Sequence, residues 1–243
     1  MTFAAEMLVL SVATVLLARW FRVGLGWAPL IALARAAVQL GAVALLLRGV
    51  LSVPAAVVAF VVLMASTASW TAGGRIRALP GGRRLAALGV VSGAAAALGP
   101  VLGLGLGAGG TDGQHVVAVS GIVIGGAMTA ATLAGRQFAR QAKLRRDEIE
   151  GWFALGATPR QAHDEIARQA AREALLPNLD QTRATGLVTL PGAFVGALFG
   201  GAGPAEAARF QLVVLASIAL AMLVCALVVT LGASRSPFVM VGD

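Results

Sequence analysis

Charge, sulfur and lysine are what this 243-residue chain has little of. Only 12% of its residues are charged, 58% are hydrophobic and its mean hydropathy is +0.85, which excludes an ordinary soluble domain and describes an integral membrane protein. A single cysteine, Cys225, excludes an intrachain disulfide and a cysteine metal cluster. The single lysine, Lys143, lies in a polar stretch, and no GxxxxGK[ST] loop occurs, so this chain has no P-loop with which to split ATP. Its two histidines, His115 and His163, share no nearby nucleophile, and the apolar segments hold almost no acid, base or metal pair for intramembrane hydrolysis or lipid transfer. Gly105–Gly110 spells GxGxxG, yet it follows an apolar run and precedes a polar turn, which is not the strand-turn-helix setting of a dinucleotide site. No catalytic residue and no bound cofactor are expected.

What is present is a series of apolar windows. A spanning helix needs ~20 mostly apolar residues, and Ala4–Trp20, Ala28–Leu47, Val53–Ala72, Leu85–Leu106, Val116–Leu133 and Phe210–Leu231 qualify. A seventh, Gly186–Phe199, is short and carries Pro191, which makes it either a full span or a re-entrant or broken one. The arginines at 19, 22, 75, 77, 83 and 84, the island from Arg136 to Arg183, and Arg235 share one side under the positive-inside rule. That places the N-terminus outside, the C-terminus in the cytoplasm, and favours seven crossings of an inner (plasma) membrane. Arg48, Asp112, Glu206 and Arg209 then face outward, and the chain reads as one domain over 1–243 with a cytoplasmic insertion at 136–183. The net charge of +8 is accounted for by this topology and by anionic inner-leaflet lipids, so nucleic acid is not an expected partner.

Glycines recur at four-residue spacing at Gly99, Gly103 and Gly107, at Gly121 and Gly125, and at Gly192, Gly196 and Gly200, a pattern for close helix packing within the chain or across a dimer seam. Arg35 stands about two turns into the second window with Gln39 on the same face, either snorkelling to the interface or lining a polar cavity. Hydroxyls at Ser66, Thr67, Ser69, Thr71, Thr129 and Thr132 either join that cavity or bond between helices. Pro191 before Gly192 permits a hinge.

In the charged island the fifth helix extends beyond the bilayer, Gly156 breaks the run, and Thr158 before Pro159 caps a new helix expected to stop at Pro177-Asn178. Two short helices meeting at this turn make a knob that fits a groove of a soluble partner.

Val119–Met128, Arg146–Glu150, Ala154–Ala162, Arg172–Pro177, Thr185–Gly192 and Phe210-Gln211, with Arg35–Leu40 earlier, together resemble the Fet-type (FetB-like) ABC transporter permease family, which includes bacterial iron-export permeases and plant aluminium-tolerance permeases. The resemblance implies a membrane subunit that pairs with a separate ATP-binding subunit carrying ATP and Mg, with metal export as the activity. Where that family usually has Asn and Met-Met, this chain has Gly126 and Ala193-Phe194, which removes thioethers suited to soft metals.

The resulting expectation is an all-α half-transporter acting as a homodimer. Glu150, Leu155, Gly156, Ala157, Thr158, Pro159 and Arg160 couple to the ATPase, and Arg35, Gln39, Met128, Thr129, Pro191 and Gly192 line the translocation cavity. An iron-like metal ion is the first cargo and an amphipathic or lipid-like organic molecule the second. A non-transporting membrane regulator is a further alternative, disfavoured by the short outer loop at 107–114.

Overall fold

The computed structural model describes residues 3–51, 53–103 and 113–237, and among them every regular element is a helix. Gly105–Gly110, Gly107 and Asp112, singled out above, lie outside the described residues. The chain divides after Pro54 into two compact units.

The first unit is a hairpin of α1 (Phe3–Trp20) and α2 (Ala28–Val50). Its turn runs through Arg22, Gly24 and Gly26, all with positive φ, and Arg19 sits over the Trp27 ring at 5.5 Å. Arg35 and Gln39 are exposed on α2.

The second unit comprises α3 (Pro54–Arg75), α4 (Gly82–Gly103), α5 (Gly113–Leu144), α6 (Arg146–Ala154), α7 (Pro159–Ala184), α8 (Gly192–Phe199) and α9 (Pro204–Ala233). Proline opens α3, α7 and α9 in the first turn, where its missing N–H costs nothing. Five helices among the described residues, α2, α3, α4, α5 and α9, are long and apolar enough to cross a bilayer. With α1, a further apolar helix of 18 residues, they make this an all-α, multi-pass membrane protein.

α4, α5 and α9 form the centre, and their buried faces are mostly alanine, glycine, valine and serine. In lipid, helices associate through van der Waals contact, so small side chains that let backbones approach are the cohesive element. A Cβ built on Gly93 would lie 2.5 Å from the Ala221 carbonyl oxygen, and one on Gly89 3.0 Å from Cys225 Sγ. Of the glycines at four-residue spacing picked out from the sequence, Gly99, Gly103, Gly125, Gly192 and Gly196 instead face open space. The close-packed pair is Gly89 and Gly93, because spacing alone does not tell which face a neighbour covers.

The expected helix stop at Pro177 is overturned: α7 continues through it to Ala184. Proline removes one backbone bond, but α7 is held on both sides by α5 and α9, which outweighs that loss. This bears on the seventh crossing expected from the sequence. α8 has eight residues, about 12 Å of helix, and spans nothing alone. However, Ala171 and Ala174 of α7 cluster with Ala134 and Ala226, while α8 bonds α9 at Gln211 and ends beside the start of α9. The path from Ala174 through the break at 185–191 to Phe199 therefore accompanies α9 from Ala226 back to Pro204, about 33 Å, close to the ~30 Å of hydrocarbon.

Candidate functional site

Two sites lie on α5 and α7, one at the elbow where they turn and one beside the break at 185–191.

At the elbow, α5 gives way to α6 at Arg145, whose backbone (φ −106°, ψ 29°) leaves the helical region. Arg145 grips Glu148 with two hydrogen bonds of 2.7 and 2.8 Å, and this pairing holds the Glu148 carboxyl below the usual carboxylate range. Arg146 pairs with Glu150 at 2.7 Å, which raises its own pKa. α6 ends in a Schellman motif: Gly156 N–H donates to Phe153 O and Ala157 N–H to Trp152 O, with Gly156 at φ +84°. Two residues later Thr158 opens α7 with a full capping box, its hydroxyl accepting from Gln161 N–H while the Gln161 side chain accepts from Thr158 N–H. The turn is thus fixed by two adjoining caps.

His163 locks this elbow to α5. It is 1% exposed, its Nδ1 lies 2.8 Å from Pro159 O, and its ring stacks on Phe138 at 5.7 Å and meets Phe153 edge-on at 6.1 Å. Sequence reasoning missed this role; its one signal was a histidine four residues after the opening proline of a helix. Outside the lock, Leu155 is 82% exposed beside half-exposed Trp152. They border a groove of about 660 Å³ lined also by Gly156, Ala157, Arg160, Gln161 and Asp164. Of the sequence-predicted coupling residues, Leu155, Gly156, Ala157 and Arg160 line the groove, Thr158 and Pro159 form the cap beneath it, and Glu150 is taken up by Arg146 on α6.

The second site is a cavity of about 570 Å³ between α5, α7, the break and α9. Ile122, Leu133, Val214, Leu215, Ile218 and Met222 supply an apolar wall. Thr129, Asn178, Gln181, Thr185 and Gln211 supply the polar one. Thr129 donates to Gly125 O and Thr185 to Gln181 O, each at 3.0 Å, so both hydroxyl protons are spent on the helix backbone. Gln211, 5% exposed, accepts from the Phe194 N–H at 3.1 Å and so caps the unpaired first turn of α8. Asn178 Oδ1 is buried without a partner.

Of the predicted cavity residues, Thr129, Pro191 and Gly192 line this space. Met128 packs against the core on the neighbouring face of α5, and Arg35 and Gln39 belong to the first unit, whereas every lining residue is in the second. The hydroxyls of Ser66, Thr67, Ser69, Thr129 and Thr132 each bond a carbonyl of their own helix rather than another helix. Asn178, Gln181 and Thr185 were missed although their spacing puts them on one helical face, because a helix ended at Pro177 has no such face.

Gln211→Leu leaves the Phe194 N–H without its acceptor inside the membrane, at a cost of about 1–3 kcal/mol. The expected result is a lower unfolding temperature and faster proteolysis in the 185–203 segment, with Gln211→Glu retaining more of the wild-type protection.

The chain matches the profile described as Uncharacterised protein family (UPF0014) over residues 2–238. It is similar to the UPF0014 membrane protein STAR2 of Oryza sativa subsp. japonica, with 32% identity over 80% of this chain and 68% of that one. It is 34% identical to Protein ALUMINUM SENSITIVE 3 of Arabidopsis thaliana over 63% of this chain and 55% of that one. It is 34% identical to the Probable iron export permease protein FetB of Escherichia coli K12 over 42% of this chain and 39% of that one. The matched segment thus spans about two thirds of the rice protein and less of the other two. No solved structure matches the chain.

Proposed function

We propose, for a chain that belongs to the UPF0014 family of membrane proteins, that it is the permease subunit of an ATP-driven exporter whose ATP-binding subunit is a separate polypeptide. The observation that carries this reading is the elbow: an exposed leucine on a turn held by two caps and fastened by buried His163 to α5, whose far half lines a cavity at membrane depth. A knob built in this way passes on a push rather than absorbing it. Closure of an ATPase pair around ATP and Mg would move the groove residues, and α5 with α7 would rock about the break at 185–191, opening the cavity alternately to each side.

A homodimer, with N-termini outside and C-termini in the cytoplasm of the inner membrane, fits two features. Asp180 and Arg183, paired at 3.1 Å and well exposed, sit on the part of α7 that accompanies α9 across the membrane, where charge is costly in lipid. The broken backbone at 185–191 cannot face lipid either. A vestibule closed by a second copy supplies water and protein to both.

An iron-like metal ion is the first cargo, supported by the printed name of the E. coli relative. The apolar wall of the cavity favours an amphipathic organic molecule as the second. The test is ATPase activity of this chain co-purified in lipid with the ATP-binding subunit encoded beside it, titrated with iron, other metals and anionic amphiphiles. Metal stimulation supports the first cargo, amphiphile stimulation alone the second, and failure of any ATP-binding subunit to co-purify sinks the reading. Gly156→Val, which forces a β-branched residue into φ +84°, costs about 1–2 kcal/mol at the turn. It should lower metal-stimulated turnover several-fold with membrane insertion unchanged.

A further inference from the structure

We infer that the arginine-rich turn between α3 and α4 is a headgroup site for an anionic phospholipid of the cytoplasmic leaflet, the side that the positive-inside rule gives these arginines. Arg83 and Arg84 hold the phosphate, and Trp70 lies beside them at the edge of the hydrocarbon. The site is independent of which cargo the chain carries.

Residues 71–84 contain four arginines, at 75, 77, 83 and 84, and no acid. All four are exposed, and among the described residues none of them pairs with a carboxylate, whereas Arg145, Arg146, Arg168 and Arg183 each do. The elbow neutralises its own charge, and this turn does not.

Membrane topology needs only positive charge beside a span, but a binding site needs that charge held in place, and here the backbone holds it. Ile76 and Leu79 are buried. Leu79 N–H donates to Ile76 O and Gly82 N–H to Leu79 O, with Gly81 at φ +68°. A Cβ built on Gly82 would stand 2.2 Å from Ile76 O, so the turn closes tightly on itself. Its flanks are seated too: a Cβ on Gly135 of α5 would meet Ile76 Cγ2 at 2.6 Å, and one on Gly232 of α9 would meet Leu85 Cδ2 at 2.3 Å. These contacts bring exposed Arg136, next to Gly135, and exposed Arg235, within a turn of Gly232, to the same membrane surface. α5 contains no acid, and α9 contains none beyond Glu206. A fixed cluster of this kind loses little freedom when an anion docks.

The indole selects a lipid over a soluble anion. Trp70 is 75% exposed and lies about 7.5 Å deeper along α3 than Arg75, the level of an interfacial aromatic belt. The Arg83 guanidinium lies over its ring at 5.4 Å. A guanidinium held against an aromatic face keeps N–H donors for phosphate oxygens. Only a phospholipid sets a phosphate and an apolar body across both groups at once.

The test is native mass spectrometry of the purified full-length chain in detergent, titrated with phosphatidylglycerol, phosphatidylcholine or inorganic phosphate. Phosphatidylglycerol should bind more tightly than phosphatidylcholine, weaken as salt is raised, and resist displacement by phosphate. The double variant Arg83→Gln with Arg84→Gln should lose about fivefold in affinity for each arginine removed, and Trp70→Leu about threefold. The double variant Arg83→Lys with Arg84→Lys should keep most of the affinity, which ties the loss to charge rather than to fold. Arg209→Gln, at the opposite end of α9, should change nothing. Equal binding of the two lipids, displacement by phosphate alone, or unchanged phosphatidylglycerol affinity in the glutamine double variant overturns the site. A glutamine double variant that keeps the lipid but loses a co-purifying ATP-binding subunit assigns these arginines to a protein partner and overturns it as well.

Discussion

Leu155→Glu is expected, on the proposed docking of a separate ATP-binding subunit at the elbow, to release that subunit, with affinity falling about thirtyfold while insertion and fold persist. Leu155 is 82% exposed at the tip of the elbow beside half-exposed Trp152, so an apolar pair is presented outward there. A central apolar anchor of an interface commonly contributes 2 kcal/mol or more, which converts to roughly a thirtyfold change. A glutamate at the same place must also be desolvated on docking. Because the α6 cap bonds run through backbone atoms of Trp152, Phe153, Gly156 and Ala157, the substitution leaves the turn intact. The measurement is pull-down or surface-based binding of the ATPase to nanodisc-held permease. Undiminished retention in Leu155→Glu would mean that the ATPase grips another surface or none.

Gly93→Ala is expected to be the more damaging change to the fold, although it adds one methyl group. The new Cβ would stand 2.5 Å from the Ala221 carbonyl oxygen and 3.1 Å from Cys225 Cβ, so the α9 backbone itself must move. Overpacking of this kind costs about 1–3 kcal/mol, and for a chain of this size each kcal/mol lowers the melting temperature by about 2–4 °C. Gly99→Ala is the control. It lies on the same helix, faces open space, and replaces glycine with a better helix former. Thermal unfolding in detergent should separate the two variants, with Gly99→Ala at or slightly above the parent. Equal melting temperatures would remove α4–α9 contact as the organising feature of the second unit.

The contrast between these glycines shows where sequence reading stops. Gly89 and Gly93 stand four apart, as do Gly99 and Gly103, and nothing local separates the pairs. Only the placement of α9 against one face of α4 makes the first pair indispensable. The elbow was different. Thr158-Pro159 with Gln161 is a local capping signal, and Gly156 is a local stop, so the turn was readable at those positions and the structure places its cap and groove there. At Pro177 the local signal misled. Proline disfavours helix interiors, but contacts of α7 with α5 and α9 outweigh one lost backbone bond, and with the helix continued the polar face of Asn178, Gln181 and Thr185 comes into being.

By itself the sequence determined that this is a multi-pass helical membrane protein, where its long apolar helices lie, and where its polar elbow turns. Those properties follow from transfer of side chains into lipid and from bonds between residues a few positions apart. Tertiary structure alone decided that α7 runs past Pro177 before the break ahead of α8, that Gln211 caps α8, and that Asn178 joins the lining of a cavity with α5 and α9. Each of these depends on which helix lies beside which. In a bilayer that choice is made by close contact between small side chains, and such contact carries no periodicity to read in advance.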